Sequence, residues 1–237
     1  MNVEVTLVDV NPKMVAAFRH SFEENPEVTI LAGSMLAQDV DAWVTPTNAR
    51  GSMDGGLDAV IKQALGGQIE ARVQAEIKRL HGGLLPVGHA TCVATGRPKP
   101  RFLISTPTMF GSSEDISDSL NVALACAAAF QVIHMHNARA GGGIASVALP
   151  GLGANTGKVP VEICADLMWT GYSLFRRREF ESFTEMRAAL EEELGPLGAP
   201  GPKPKGKVAV PGAAPGTPKP APAADPDADF DDADDDE

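Results

Sequence analysis

The apolar positions along this chain switch repeatedly between two periods. Val3 to Val8 alternates and is rich in β-branched residues, which predicts a first strand. Asn11 and Pro12 then read as a helix cap and first helical residue, and Met14, Val15 and Phe18 recur at helical spacing, predicting a helix over about 13–22. Short apolar runs bounded by Gly, Pro or Asn predict further strands over 28–31, 40–44, 89–94, 101–105 and 146–149. Between them the period lengthens. Leu57, Val60, Ile61, Ala64 and Leu65 form one apolar stripe of a helix starting at Gly56, and Ile69, Val73 and Ile77 form that of a helix over 69–80. An Ala-rich helix is predicted over 120–136, capped by Ser117 or Asp118, and another over 161–175 with Pro160 in its first turn. Ser182 and Glu185 have capping-box spacing and open a last helix ending near Leu194. Strands alternating with helices predict an α/β domain of three layers, a mixed, largely parallel sheet between helices. There is no internal repeat.

Two places in this alternation share one build. Ala42-Trp43-Val44 is a strand, Thr45 to Gly55 a loop with Gly51, Gly55 and Gly56 at its end, and a helix follows. Ser146 to Pro150 is a strand, Gly151-Leu-Gly-Ala-Asn-Thr-Gly157 a loop, and a helix follows again. Glycine lets backbone approach a ligand closely, and a helix N-terminus offers unpaired N–H groups to an anion. Two such loops predict one crevice at the carboxyl edge of the sheet and a ligand that carries phosphates. The second loop is no P-loop: the first glycine of that pattern would fall on Leu152, and Val159 stands where Ser or Thr is required. Its GxGxxxG spacing also misses the dinucleotide fingerprint, so spacing alone leaves phosphate binding and a plain tight turn as alternatives.

Composition divides the chain. Periodicity stops near residue 195, where Pro, Ala, Gly and Lys take over and the sequence runs out in DPDADFDDADDDE. Residues 1–194 are expected to fold as one domain and 195–237 to be a disordered, Pro/Ala-rich acidic tail. The formal net charge is −11; residues 196–237 carry −5 of it, with eight Asp and one Glu against four Lys. Neither part is basic, which argues against binding a duplex through its phosphates but not against a small nucleotide held by backbone amides. The tail reads either as a solubilising extension or, through Phe230 within its acidic run, as a docking segment for a basic partner. Cys92, Cys126 and Cys164 lie far apart with no CxxC, which predicts reduced thiols and a cytoplasmic protein. No run is long and apolar enough to span a membrane, and the N-terminus lacks the features of a signal peptide.

The two loops, with the segments Gly33-Ser34-Met35, Leu85-Pro-Val-Gly88-His-Ala90, Ile104-Ser-Thr-Pro-Thr-Met109 and Ala148-Leu-Pro-Gly-Leu-Gly153, resemble the macro domain family, an ADP-ribose-binding α/β fold. The PGLG and LPVGHA forms and the Val8-Asp9-Val10-Asn11-Pro12 run are similar to its bacterial and phage macro-like branch. The likeness covers about residues 1–178. It implies binding of ADP-ribose or a related nucleotide, free or attached to a protein or nucleic acid, with no metal or cofactor. For an active member it implies hydrolysis of an ADP-ribosyl linkage. By this resemblance Thr47 and Asn48 stand in the asparagine motif, Asn48 contacting the distal ribose, and Gly51, Gly55 and Gly56 belong to the loop that wraps it. Gly151, Leu152, Gly153, Ala154, Asn155, Thr156 and Gly157 form the diphosphate loop, and Asp58 matches an acid that some hydrolases of the family use. Asn48 and Asp58 are therefore the candidate catalytic residues.

The departures are as informative. Ser34 stands where the family has an Asp that takes the adenine amino group, and Thr45 where it has the first asparagine of its motif. Asp9 is the candidate substitute for the missing Asp; its alternative reading is a polar neighbour of the Asn11 cap. Asn48 has an alternative reading as a turn residue, and Asp58 as a charge favouring a helix dipole. His134 and His136, two apart, do not share a helix face; His89 reads as packing, and Arg176 to Arg178 as the solvated end of a helix. A non-catalytic nucleotide-binding module, or a scaffold whose tail binds a partner, remains the alternative to an enzyme.

Overall fold

A computed structural model of the chain describes residues 2–140 and 143–197, with the backbone alone at Ala140. The tail predicted from residue 195 lies outside the described residues from position 198 onward. Six strands form one sheet: β1 (Glu4–Asp9), β2 (Val28–Ala32), β3 (Ala42–Thr45), β4 (Thr91–Ala94), β5 (Phe102–Ser105) and β6 (Ser146–Leu149). Their order across the sheet is β2-β1-β6-β3-β5-β4. Every pairing is parallel except that of edge strand β4 with β5. The mixed, largely parallel sheet expected from the alternation of periods is the sheet observed.

Side chains alternate across the pleat, and each face has its own core. Val5, Leu7, Val44, Ile104, Val147 and Leu149 point to one side, where they meet α1 (Pro12–Ser21), α4 (Asn121–Ala140), α5 (Val161–Arg177) and α6 (Phe183–Leu194). Val8, Trp43, Leu103 and Ala148 point to the other and meet α2 (Gly56–Leu65) and α3 (Gln68–His81). The result is three layers, because helices must cover both faces of a parallel sheet. Ile69, Val73 and Ile77 are buried as their spacing predicts. Asn11 caps α1 with its side chain on the Lys13 N–H at 3.0 Å, and Ser182 caps α6 on the Glu185 N–H at 3.2 Å.

Some local expectations change. Val60 is 47% exposed although it falls on the predicted stripe of α2; only Ile61 of that helix is fully buried. The helix rests on α3 over a narrower contact than five apolar positions suggest. Neither Ser117 nor Asp118 caps α4. The Ser117 hydroxyl donates to Asp115 and Asp118, and the helix begins later, with the Asn121 N–H on Ser119 Oγ at 3.4 Å. β4 begins at Thr91 rather than His89, since the His89 N–H closes a turn onto the Pro86 carbonyl.

The N-terminal end of the sheet is held by one carboxylate. Asp41 is only 5% exposed; Oδ2 accepts from the Ala145 and Ser146 N–H groups at 2.8 and 3.2 Å. Oδ1 accepts from Lys99 Nζ and Arg101 Nη2, both at 2.9 Å. Burial by itself pushes this carboxyl up. The Lys99 ammonium, the Ala145 N–H and the Arg101 guanidinium outweigh it and hold Asp41 well below the usual carboxylate range.

Candidate functional site

In a parallel sheet the loops that leave the carboxyl ends of the strands converge on one side. Here they enclose a cleft lined by Asp9 and Val10 after β1, Gly33 to Met35 after β2 and Pro46 after β3. Gly55 to Asp58 at the start of α2, Thr108 and Met109 after β5, and Pro150, Gly151, Gly153 and Asn155 to Gly157 after β6 complete it. Because the strand order is β2-β1-β6-β3-β5, the cleft has an order too. Ser34 and Asp9 stand at one end, the loop after β6 crosses the middle, and Asp58 and Thr108 stand at the other end.

The middle of the cleft is backbone. From Gly153 to Gly157 the N–H groups have no acceptor among the described residues, whereas the next two are taken, Lys158 by Asn155 and Val159 by Gly153. A Cβ on Gly157 would lie 2.6 Å from the Gly153 carbonyl oxygen and 2.7 Å from Ile116, so the curl of this loop excludes any side chain there. Leu152 is fully buried and anchors the loop, its carbonyl accepting from Cys164 Sγ at 3.1 Å. Ala154 is half-buried against the core and, like Leu152, is not part of the lining. Opposite, α2 starts at Gly55 and Gly56 with no side chain capping its first turn. These are the groups that suit an anion.

The first glycine loop is divided between structure and cleft. Gly51, at φ +66°, faces α3: a Cβ there would meet Ile77 and Val73 at 2.7 and 2.9 Å. Met53 is buried beside them, its N–H on Glu70 Oε1 at 2.8 Å. Of the loop's glycines, Gly55 and Gly56 reach the lining and Gly51 does not. Asn48 is spent on its own loop and on the segment after β5. Its Oδ1 accepts from the Arg50 and Ser52 N–H groups at 2.9 and 3.3 Å, and its Nδ2 donates to Ser112 Oγ at 3.1 Å. It is 9% exposed and outside the lining, as is Thr47, whose hydroxyl shares a 2.6 Å bond with Ser105. In its alternative reading, as a turn residue, Asn48 organises the turn that leads to Gly51.

Asp58, Asp9 and Ser34 do reach the cleft. Asp58 lies in the first turn of α2, half-buried, and accepts a hydrogen bond from Thr45 Oγ1. Burial pushes its carboxyl up to about 6; the Thr45 hydroxyl works against that shift, and the negative charge of Glu70 adds to it. Lys62 pairs with Glu70 at 2.5 Å and with Asp54 at 3.3 Å. Asp9 Oδ1 accepts from Asn11 N–H at 2.8 Å and Oδ2 from Gly151 N–H at 3.1 Å, so it ties the end of β1 to the loop after β6. Ser34 Oγ accepts from the Leu36 N–H at 3.2 Å and leaves its own proton to give. Among the described residues the lining thus holds two carboxylates and neither lysine nor arginine.

Outside the cleft, the histidines pack. His89 lies against Phe183 and His81, ring centroids 4.8 and 5.2 Å away, and burial pushes it down to about 4. Among the described residues no three His, Cys, Asp or Glu side chains are grouped to hold a metal ion. The three cysteines are free thiols, and burial pushes Cys92 and Cys164 up to about 12. The arginines closing α5 are used: Arg176 on Glu27 at 3.1 Å, Arg177 on Glu193 at 2.6 Å and Arg178 over the Phe180 ring at 4.7 Å. No described helix is long and apolar enough to cross a membrane.

Sequence reasoning placed Thr108 and Met109 in a family-like segment but not in the site. The signal was present: the β5 run stops at Thr106-Pro107-Thr108, and a strand parallel to its neighbour ends at the same edge of the sheet. Nothing in the sequence says that β5 lies beside β3.

The comparisons with known proteins agree with this architecture. The Macro domain family model matches residues 44–168. An uncharacterized protein of Aquifex aeolicus is 32% identical over 175 residues, 71% of this chain and 98% of the relative. Among solved structures, the macrodomain of Mycobacterium tuberculosis DarG is 23% identical with a TM-score of 0.52, covering 63% of this chain and 91% of that one. A mutant Oceanobacillus iheyensis macrodomain with ADPR is 16% identical with a TM-score of 0.51, covering 68% of this chain and 90% of that one.

Proposed function

This chain belongs to the macro domain family, and from that premise we propose that its cleft binds ADP-ribose or an ADP-ribose-like nucleotide. The observation that carries the reading is the order of groups along the cleft. At the β1–β2 end, Ser34 and Asp9 offer a hydroxyl and a carboxylate, which suit the edge of a base. In the middle, the unpaired N–H groups of Gly153 to Gly157 and the uncapped start of α2 suit a diphosphate. At the β3–β5 end, Asp58 accepts from sugar hydroxyls. Five adjacent strands span roughly 19 Å at the usual strand spacing, room for an extended dinucleotide-sized ligand. With no cation in the lining, the phosphates are held by backbone dipoles alone, so shape and hydrogen bonding carry more of the recognition than charge.

Calorimetric titration of the full chain with ADP-ribose, AMP and NAD tests this. Micromolar binding of ADP-ribose, with AMP much weaker because it spans only half the cleft, is the expected result. No binding of ADP-ribose at millimolar concentration overturns the reading.

Hydrolysis of an ADP-ribosyl linkage is a second reading, favoured by one observation. A carboxyl raised to about 6 stands at the sugar end and exchanges protons near neutral pH. Asp58 would take a proton from an attacking water while the two loops fix the phosphates. Asn48, bonded to its own turn and to Ser112 beyond β5, would support that geometry by holding the two segments together. Single-turnover release of ADP-ribose from an ADP-ribosylated protein, lost in Asp58→Asn with binding retained, is the expected result. No release by the parent protein leaves a binding module.

A further inference from the structure

We propose that the free edge of β4 is a docking site for an extended acidic peptide of a partner protein, which adds as a further strand and places a large apolar side chain in the cavity beside it. The inference does not depend on the nucleotide reading. β4 closes the sheet and pairs with β5 alone. The Thr95 N–H bonds to the Arg101 carbonyl at 2.9 Å. Residues of an antiparallel strand take turns in facing their partner, so Thr91 and Val93 also turn their backbone groups to β5. Cys92 and Ala94 turn theirs outward. The Ala94 carbonyl is taken by Arg72 Nη1 at 2.8 Å. The Cys92 N–H and C=O and the Ala94 N–H have no partner among the described residues. An edge left open in this way is a template for another strand.

A cavity of about 580 Å³ lies beside that edge. Ala90, Thr91 and Cys92 form one wall, and the ends of α3 and α4 form the others. Leu80, on the lining, is 47% exposed, and Val132, Met135 and Phe183 continue its apolar surface. A large apolar side chain on an added strand would cover that surface. Charge decides the sign of the partner. The lining carries Arg79 and Arg139 against a single acid, Glu76, in a chain whose net charge is −11. Glu76 is taken by Arg79, at 2.8 and 2.6 Å. Arg139 is exposed and has no ionic partner among the described residues. Its guanidinium is open to a carboxylate of the incoming strand. A second copy of this chain is the poorer fit, because two β4 edges meeting would gather the Arg79 and Arg139 side chains of both copies at one seam.

Fluorescence anisotropy with the full chain tests this, using a labelled synthetic peptide Asp-Glu-Val-Phe-Val-Glu-Asp. Its controls carry Lys for every acid, Ala for Phe, or N-methyl groups on both valines. Ala94→Pro removes an outward N–H and no bond of the ladder, which an edge strand tolerates. Arg139→Glu reverses the free charge. The expected result is saturable binding of the acidic peptide and at least about tenfold weaker binding of each control. Ala94→Pro and Arg139→Glu each weaken the acidic peptide by about three- to tenfold at an unchanged melting temperature. No binding of the acidic peptide at millimolar concentration overturns the proposal. So does equal binding of the acidic and Lys peptides, or equal binding by the parent and both variants. Equal binding of the N-methylated peptide overturns strand addition without any change to the protein, and equal binding of the Ala peptide overturns the cavity as its anchor. A parent that scatters light as a dimer, and as a monomer in Ala94→Pro, gives the edge to a second copy and overturns the peptide reading.

Discussion

Asp41 and Asp58 flank the same strand, β3, and their surroundings make them opposites. Asp41, before the strand, meets two cations and two backbone N–H groups and is held far below its ordinary range. Asp58, beyond it, meets one hydroxyl and the charge of Glu70, and is raised to about 6. Both are withdrawn from water, so burial alone does not distinguish them. What differs is compensation: the N-terminal end of the sheet spends charge on holding strands and loops together, and the carboxyl end leaves a carboxylate uncompensated inside a cleft. An uncompensated acid there is the arrangement expected of a site that handles protons or hydroxyl groups.

The largest effect should follow from breaking the compensated end. Asp41→Ala strands the Ala145 and Ser146 N–H groups and sets two cations side by side, which should cost about 2–4 kcal/mol in urea unfolding. ADP-ribose affinity of the folded fraction should not change. A cost under about 0.5 kcal/mol, the size of an ordinary surface change, would mean that Asp41 is not the fastening it looks to be.

The next effect separates the two acids by pH. Asp41, its folded value depressed, contributes stability that is present above the ordinary carboxylate value and lost as pH falls. Asp58, its folded value raised, favours the native state below the ordinary value near 4, and that contribution is lost as pH rises through about 6. The parent protein should therefore lose stability between pH 4 and 7 by on the order of 2–3 kcal/mol from Asp58. Asp58→Asn, which can still accept from Thr45, should flatten that fall. An identical slope in both proteins would sink the assignment.

A smaller effect concerns the ligand. Above pH 6 an ionised Asp58 opposes a diphosphate in a cleft without cations, so ADP-ribose should bind a few-fold more tightly at pH 5.5 than at 7.5. The trend should vanish in Asp58→Asn. The smallest stability change is expected for Gly55→Ala, where an added Cβ meets nothing within 4 Å. Unfolding should shift by about 0.5 kcal/mol or less, so any loss of ADP-ribose binding reports on the cleft itself.

Much of this was legible in the sequence, because the signals are local. The change from period 2 to period 3.6 marked each strand and helix, and Asn11 and Ser182 marked two helix starts through the chemistry of a single side chain. Two glycine loops after strands predicted a crevice at the carboxyl edge, since in a parallel sheet those loops share one side. Residue type and order fixed that much. The division of the first loop was not legible. Gly51 and Gly55 look alike in sequence, and only the approach of Ile77 and Val73 tells the structural glycine from the cleft glycine. Asn48 is a good ribose ligand by type and a good turn former by type, and its partners decide which bonds it makes. Strand order, the pairing of Asp41 with Lys99 and Arg101, and the raised Asp58 all belong to the tertiary structure. Each depends on which distant groups share a low-dielectric space, and spacing along the chain does not encode that.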